Sequence, residues 1–285
     1  MMDFSHPEVT DLIRRALAED IGTGDVTTNS CVAAERMATG QFRAKQDFVA
    51  AGAELLPIVF AMSMEFGCAA VSELEVLVPS GTVVQVGTVL ATVAGPARTL
   101  LTCERTTLNL MQRMSGVATM GRRFVDCVAG TRTKILDTRK TTPGLRRLEK
   151  MAAFAGGVTN HRMGLYDAVL IKNNHITAAG GVTAALANVR LNKELLVEIE
   201  VRTWAEMDEA LAAGAKHLLL DNLTPAEAKQ WVDHIAGRAS VELSGGMRLE
   251  TIRAYAEAGA DFISVGAVTH SAVAVDINFR LNLSA

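Results

Sequence analysis

The sequence has no excess of basic charge, no paired cysteines and no long apolar run, and each absence removes a class of function. Lys and Arg number 28 against 31 Asp and Glu, a net charge of -3, whereas a dedicated nucleic-acid binder carries a strongly basic domain. The four cysteines, Cys31, Cys68, Cys103 and Cys127, form no C-x-x-C pair. None lies near a histidine at zinc-ligand spacing, so a metal cage is not expected. Scattered thiols fit a reducing compartment. The amino terminus, Met-Met-Asp-Phe-Ser-His-Pro, lacks the basic-then-apolar profile of a signal peptide. No apolar run approaches the ~20 residues of a membrane span. The expectation is a cytoplasmic protein with neither nucleic acid nor membrane among its partners.

What is present is ample apolar material: 285 residues, 49% hydrophobic and 21% charged, enough to bury a core in two domains or in one barrel with an attachment. The first 115 or so residues are mixed. Val9, Leu12, Ile13, Ala16 and Leu17 recur at helical spacing between Pro7 and Glu19, until the glycines of Asp20–Asp25 break the pattern. Leu74–Gly81, Val83–Gly87 and Thr88–Val93 read as short strands divided by glycine turns. A second helix is expected from about Leu100 to Met114.

The remainder is rhythmic. Apolar segments at Thr133–Asp137, Ala168–Ile171, Leu195–Val201, His217–Leu220, Ser240–Leu243 and Phe262–Val265 alternate with helical spacing at Thr183–Leu191, Trp204–Ala213, Pro225–Ile235 and Leu249–Ala258. Strand–helix alternation means a parallel sheet with right-handed crossovers; periodicity alone leaves a barrel and an open doubly wound sheet both possible. Charged residues and glycines follow every strand, and the carboxyl ends of parallel strands share one rim where ligands bind in either architecture. An open sheet would divide these residues along an edge, while a barrel gathers them into one mouth, so the barrel is favoured.

The densest basic stretch is Thr138-Arg139-Lys140-Thr141-Thr142-Pro143-Gly144-Leu145-Arg146-Arg147. It reads either as a solvated loop with a basic helix start or as an anion site. Cations in a helix's first turn oppose its dipole unless an anion is present, and Arg with Lys at a strand end suits carboxylate and phosphate. Gly156-Gly157-Val158-Thr159-Asn160-His161-Arg162 is either a helix cap with surface residues after it or a second part of the site. Lys172 ends an apolar segment and needs a carboxylate from the protein or from a ligand. Glu198 and Glu200 share a strand face. With Asp221 they either pair structurally with Lys172 or Lys140, or bind hydroxyls and magnesium. Ser244-Gly245-Gly246 ahead of Leu249–Ile252 reads as strand, turn and helix start, a phosphate-binding device. Gly266-Ala267-Val268-Thr269 repeats it, after the last two strands, where barrels commonly hold phosphate.

These residues carry a resemblance. Glu19–Thr28, Glu104–Asn109, Ser115–Thr119, the run T-R-K-T-T-P-G-L-R at 138–146, Asn160-His161-Arg162 and Val265–Ser271 resemble quinolinate phosphoribosyltransferases, in order and over nearly the whole chain. The resemblance implies an amino-terminal α/β sandwich, residues 1–115 joined by the tail 271–285, and an incomplete α/β barrel over residues 116–270. It implies transfer of phosphoribosyl from phosphoribosyl pyrophosphate to quinolinate with loss of CO2, giving nicotinate mononucleotide for NAD biosynthesis, with Mg2+. Arg105, Thr138, Arg139, His161, Arg162 and Lys172 would hold quinolinate, Arg105 reaching in from the other subunit of a homodimer. Lys140, Glu200 and Asp221 would serve catalysis, the two carboxylates also serving the metal through water. Ser244, Gly245, Gly246, Val265, Gly266 and Ala267 would take the 5′-phosphate. Two residues depart from the family pattern: Val158, where a third glycine is usual, and Asn173, where an aspartate is frequent. The second should leave Lys172 with one fewer acidic neighbour. The alternatives are a related phosphoribosyltransferase with another acceptor and a silent protein that binds phosphorylated metabolites.

Two polyanionic substrates repel each other, so a dense cationic lining is needed to hold them together, and charged contacts count for more in a low-dielectric mouth. Decarboxylation beside an electron-poor ring nitrogen needs no general base, and none is nominated.

Overall fold

The structure, a computed structural model, describes residues 2–189 and 195–283. Arg190 and Leu191, expected to end one helix, lie outside the described residues. The chain packs as two compact units. One takes the chain up to Arg122, Thr142–Gly157 and the tail from Ser271; the other takes Arg123–Thr141 and Val158–His270.

The first unit opens with helices α1 (Pro7–Ile21) and α2 (Val26–Cys31). Strands β1 (Met37–Ala44) and β2 (Phe48–Val49), helix α3 (Leu56–Ser63), strands β3 (Glu73–Val76), β4 (Val83–Val84) and β5 (Val89–Pro96), and the long helix α4 (Ala97–Cys127) follow. Proline at the first turn and the His6 ring accepting the Glu8 N–H start α1, which buries Val9, Ile13, Leu17 and Ile21 as its spacing predicts. Strand β1 was not legible in the sequence. Its inward positions are Ala38, Gly40, Phe42 and Ala44, too small a set to show as alternation. Gly40 is required there, because a Cβ would fall 2.1 Å from the ring of Phe279.

Helix α4 overruns its expected end at Met114 by more than three turns. Ser115-Gly116 looks like a stop, but Gly116 is where the carboxyl-terminal tail crosses: a Cβ would sit 2.2 Å from the Val273 carbonyl oxygen. Gln112 donates to the Ile277 carbonyl at 2.8 Å and Arg113 to that of Ala272 at 2.6 Å. The glycine serves packing, and the border expected at 115/116 falls inside one continuous helix.

Continuing along the chain, the elements are β6 (Lys134–Leu136), α5 (Arg146–Ala155, within the first unit), β7 (Val169–Ile171), α6 (Asn173–Ala179), α7 (Val182–Val189), β8 (Val197–Val201), α8 (Trp204–Ala212), β9 (His217–Asp221), α9 (Pro225–Ile235), β10 (Ser240–Ser244), α10 (Ile252–Glu257), β11 (Phe262–Ser264), α11 (Ala267–His270) and β12 (Ile277–Leu283). Strand β12 pairs with β1, so the tail joins the sheet of the first unit.

The second unit holds a parallel sheet in the order β6-β11-β10-β9-β8-β7. Every strand lies beside its sequence neighbour except that the first meets the last, so the ring is open only between β6 and β7. A doubly wound sheet would instead reverse direction about its first strand. The fold is therefore an incomplete α/β barrel. Across the opening, Leu136 makes an isolated parallel bridge with Thr159. Among the described residues no helix is long and apolar enough to cross a membrane.

Candidate active site

Strand alternation points Glu198 and Glu200 to one face of β8, away from Val197, Ile199 and Val201. Register places Leu170 beside Glu198, Glu200 beside Leu219, and Leu219 beside Glu242 of β10, so these side chains share the inner face. Barrel interiors are mostly filled by branched apolar residues. Here three buried glutamates, Glu198, Glu200 and Glu242, stand in that layer.

Above them lies a cavity of about 280 Å³, lined by Thr138, Arg139 and Lys140 after β6, His161 and Arg162, Leu170 and Lys172 of β7 and its end, Leu219 and Asp221 of β9, Glu242 and Ser244 of β10, and Ser264 of β11. Residues from widely separated segments thus meet at one rim. The loop after β6 is tied down from two sides. Thr138 Oγ1 accepts the Lys140 N–H at 3.0 Å, and Thr269 Oγ1 donates to the Lys140 carbonyl at 2.9 Å. The Lys140 stem runs over Gly266, where an added Cβ would come within 3.0 Å of it.

The cations are unevenly satisfied. Lys172 Nζ pairs with Glu200 at 2.7 Å, and Asn173 Nδ2 donates to the other oxygen of Glu200 at 2.9 Å. Lys172 thus keeps one acidic neighbour, Glu200, the structural pairing the sequence left open, and the asparagine that stands where an aspartate is frequent braces that glutamate. Arg162 donates one guanidinium N–H to the Ala168 carbonyl at 3.1 Å. Arg139 Nε is buried with no hydrogen-bond partner. Burial and then the adjacent positive charge of Arg139 pull the Arg162 guanidinium below its usual range. Two crowded guanidiniums with an unmet buried donor suit an anion.

On the cavity floor His161 Nε2 lies 3.2 Å from Glu198 and 3.4 Å from Glu242, while Nδ1 accepts the Arg162 N–H at 2.7 Å. Burial opposes a charged ring, but the two carboxylates outweigh it and push the imidazole up to about 9. Burial, with Glu242 beside it, raises Glu198 as well. The amide aimed at Nδ1 leaves the neutral ring's proton on Nε2, facing Glu198, and the raised values of His161 and Glu198 belong to the cluster as a whole. These three are also the group among the described residues whose ligand atoms could converge on a metal, but shared protons already account for their closeness.

The glycine turns expected after β10 and β11 are present. Gly245 and Gly246 both have positive φ, 100° and 59°, as does Asn222 at 58°, and a Cβ on Gly245 would fall 2.3 Å from Asn222 Oδ1. The helix after them begins at Ile252, six residues beyond the second glycine. Val265, Gly266 and Ala267 follow β11 directly. The basic stretch divides: Arg147 pairs with Glu8 at 2.7 Å in the first unit, and Gly156 caps α5 as a plain helix end. Arg105 is exposed on α4. Sequence reasoning passed over Asp137 and Glu242. Asp137 ends one expected apolar segment and Glu242 lies inside another, and an acid in such a segment was the available signal.

The family description "Quinolinate phosphoribosyl transferase, N-terminal domain" matches residues 25–115 and its C-terminal counterpart residues 117–280. The chain is 43% identical over 288 residues to a nicotinate-nucleotide pyrophosphorylase (carboxylating) of Mycobacterium leprae, covering 99% of this chain and 100% of that one. It is 38% identical to a probable enzyme of the same name from Bacillus subtilis, covering 98% and 96%. The crystal structure of nicotinate-nucleotide pyrophosphorylase from Ehrlichia chaffeensis superposes with a TM-score of 0.90 at 36% identity, covering 99% of each chain.

Proposed function

The chain belongs to the quinolinate phosphoribosyltransferase family, and from that premise we propose that it joins quinolinate to phosphoribosyl pyrophosphate, releasing pyrophosphate and CO2 and leaving nicotinate mononucleotide for NAD biosynthesis. The observation that carries this reading is the unmet Arg139 Nε beside Arg162 in a cavity also lined by Lys140 and Lys172. That is four cations around a volume suited to an acid and a phosphate.

In this reading Arg139, Arg162 and Lys172, with the Thr138 hydroxyl, grip the two carboxylates, and His161 closes the floor. Arg105 completes the acceptor site from a second copy of the chain in a homodimer. Lys140 meets the phosphoribosyl pyrophosphate, and the backbone turns at Ser244–Gly246 and Val265–Ala267 receive its 5′-phosphate. The ring nitrogen attacks the anomeric carbon as the bond to pyrophosphate breaks with its electron pair. The bond to the carboxylate adjoining that nitrogen then breaks, CO2 leaves, and the pair remains on a carbon stabilised by the neighbouring positive nitrogen until a proton arrives. The chain's work is to hold two repelling anions in line and to stabilise charge as it develops.

Asp221 fits Mg2+ delivered with the pyrophosphate. It lines the cavity, and among the described residues only its Oδ2 is engaged, by the Asn222 amide at 2.6 Å. Mg2+ asks little more than one or two carboxylates besides phosphate oxygens and water. Glu200, held by Lys172 and Asn173, would act through water. The metal would supply neutralisation of the departing pyrophosphate. The test is direct: purified protein with quinolinate, phosphoribosyl pyrophosphate and Mg2+ releases pyrophosphate and CO2 in equal amounts. No turnover with quinolinate, or faster turnover with a pyridine monocarboxylate, refutes the assignment.

A further inference from the structure

We propose that Asp137, Glu198 and Glu242 are positioning residues: three buried carboxylates that seat the segment Thr159–Arg162 and so aim the Arg162 guanidinium into the anion cavity. The inference deepens the reading above and rests on it for the identity of the anion.

The segment crosses the opening of the barrel, where neighbouring strands cannot hold it as they hold β7 to β11. Among the described residues its one ladder contact is the bridge from Thr159 to Leu136. It also has a void on each side. The anion cavity lies on one side, and a second cavity of about 220 Å³ is lined by the same His161, Arg162 and Glu242. A wall between two cavities gains little from packing, so its order must come from hydrogen bonds.

Beyond the two backbone bonds of that bridge, from the Thr159 N–H to the Ile135 carbonyl and from the Asp137 N–H to the Thr159 carbonyl, those hydrogen bonds run to carboxylates. Asp137, fully buried, accepts Asn160 Nδ2 at 2.7 Å and the His161 backbone N–H at 2.8 Å. Glu198 and Glu242 flank His161 Nε2, and His161 Nδ1 takes the Arg162 N–H. The His161 ring is thus engaged at both nitrogens and passes the constraint to Arg162. Apart from the amide and the bond to Ala168, Arg162 donates to no group among the described residues, leaving the rest of its guanidinium for a ligand. Carboxylates beneath an anion site are electrostatically adverse. Their presence in a layer usually filled by Val, Ile and Leu follows if the bonds they accept outweigh that cost.

The two effects predict opposite signs. Were Glu242 only a charge, removing it would tighten an anion. If it is a brace, Glu242→Leu weakens quinolinate binding, measured by calorimetry, by roughly threefold to tenfold, because Nε2–H keeps its bond to Glu198 and loses the second acceptor that flanks it. Glu242→Gln, which keeps an oxygen for Nε2–H, recovers most of the affinity. Binding of inorganic phosphate is unchanged within about twofold in both variants. Combined with Arg162→Ala, Glu242→Leu adds no further loss, because both act through one guanidinium. Amide hydrogen exchange across 159–162 quickens in Glu242→Leu and in Asp137→Asn. Tighter quinolinate binding in Glu242→Leu, equal weakening of quinolinate and phosphate, an additive double variant, or unchanged exchange each overturns the proposal. If the unaltered protein binds no quinolinate yet exchange still responds to Glu242→Leu, the functional reading fails and the brace stands.

Discussion

Replacing Arg139 with methionine should make the free protein more stable while abolishing its response to a dicarboxylate. Methionine keeps most of the side chain's volume and apolar stem, so little packing is lost. What disappears is a buried Nε–H with no partner and the positive charge that depresses Arg162. A buried unsatisfied donor costs about 1–3 kcal/mol. The low end applies, because Arg139 as a whole is only half-buried. A gain of about 1 kcal/mol corresponds to an unfolding midpoint higher by roughly 2–4 °C. The assay is thermal unfolding of wild type and Arg139→Met, each with and without quinolinate. Wild type should gain about 2.7 kcal/mol at a hundredfold excess over Kd, and the variant should gain almost nothing. Arg139→Met unfolding below wild type, with its response to quinolinate intact, would refute the reasoning, since the guanidinium would then be satisfied by the protein itself.

Gly116→Ala should destabilise, although alanine normally gains about 1 kcal/mol over glycine inside a helix; the new Cβ meets the Val273 carbonyl at 2.2 Å, and a raised unfolding midpoint would contradict that account of the tail. Lys140→Ala should lower turnover by about 10²–10³-fold with stability changed by no more than about 0.5 kcal/mol, because the side chain is exposed at the rim; steady-state kinetics alongside denaturant melts decide it. Stability should fall as pH rises from neutrality: the folded cluster keeps a proton that the unfolded histidine, with its ordinary value of 6.5, releases. This contribution is complete below about 6.5 and gone above about 9. In His161→Gln that slope should vanish, and an unchanged slope in denaturant midpoints between pH 6 and 9 would sink the assignment.

The parallel strand–helix alternation was legible because its strands are short, apolar and separated by amphipathic helices, a local pattern that needs no tertiary information; the choice of a barrel rested on the charged residues and glycines expected to share one rim. Helix α9 shows how far the local pattern reaches: Thr224, Pro225 and Glu227 form a capping box with proline at the first turn, and its expected span, Pro225–Ile235, is the span observed. Strand β1 and the second half of α4 were not legible. The small inward residues of the one and the Ser115-Gly116 pair of the other acquire meaning only from the tail that packs on them. In the site, Arg139, Lys140, Lys172 and Asp221 could be singled out from their places after strands, and His161 and Arg162 from the family resemblance. Asp137 and Glu242 could not, because a lone acid in an apolar segment does not say what it will face.

The sequence by itself determined the class of the fold, the family and the cationic character of the mouth, since these rest on local periodicity and on motifs readable residue by residue. Only the tertiary structure decided which charges are already paired and which await a ligand. Lys172 and Glu200 close on each other, His161 is held between two carboxylates, and Arg139 keeps an unmet donor. Pairing depends on distances of a few ångströms between residues remote along the chain, and burial multiplies the consequence of each, so no reading of order and spacing could have assigned them.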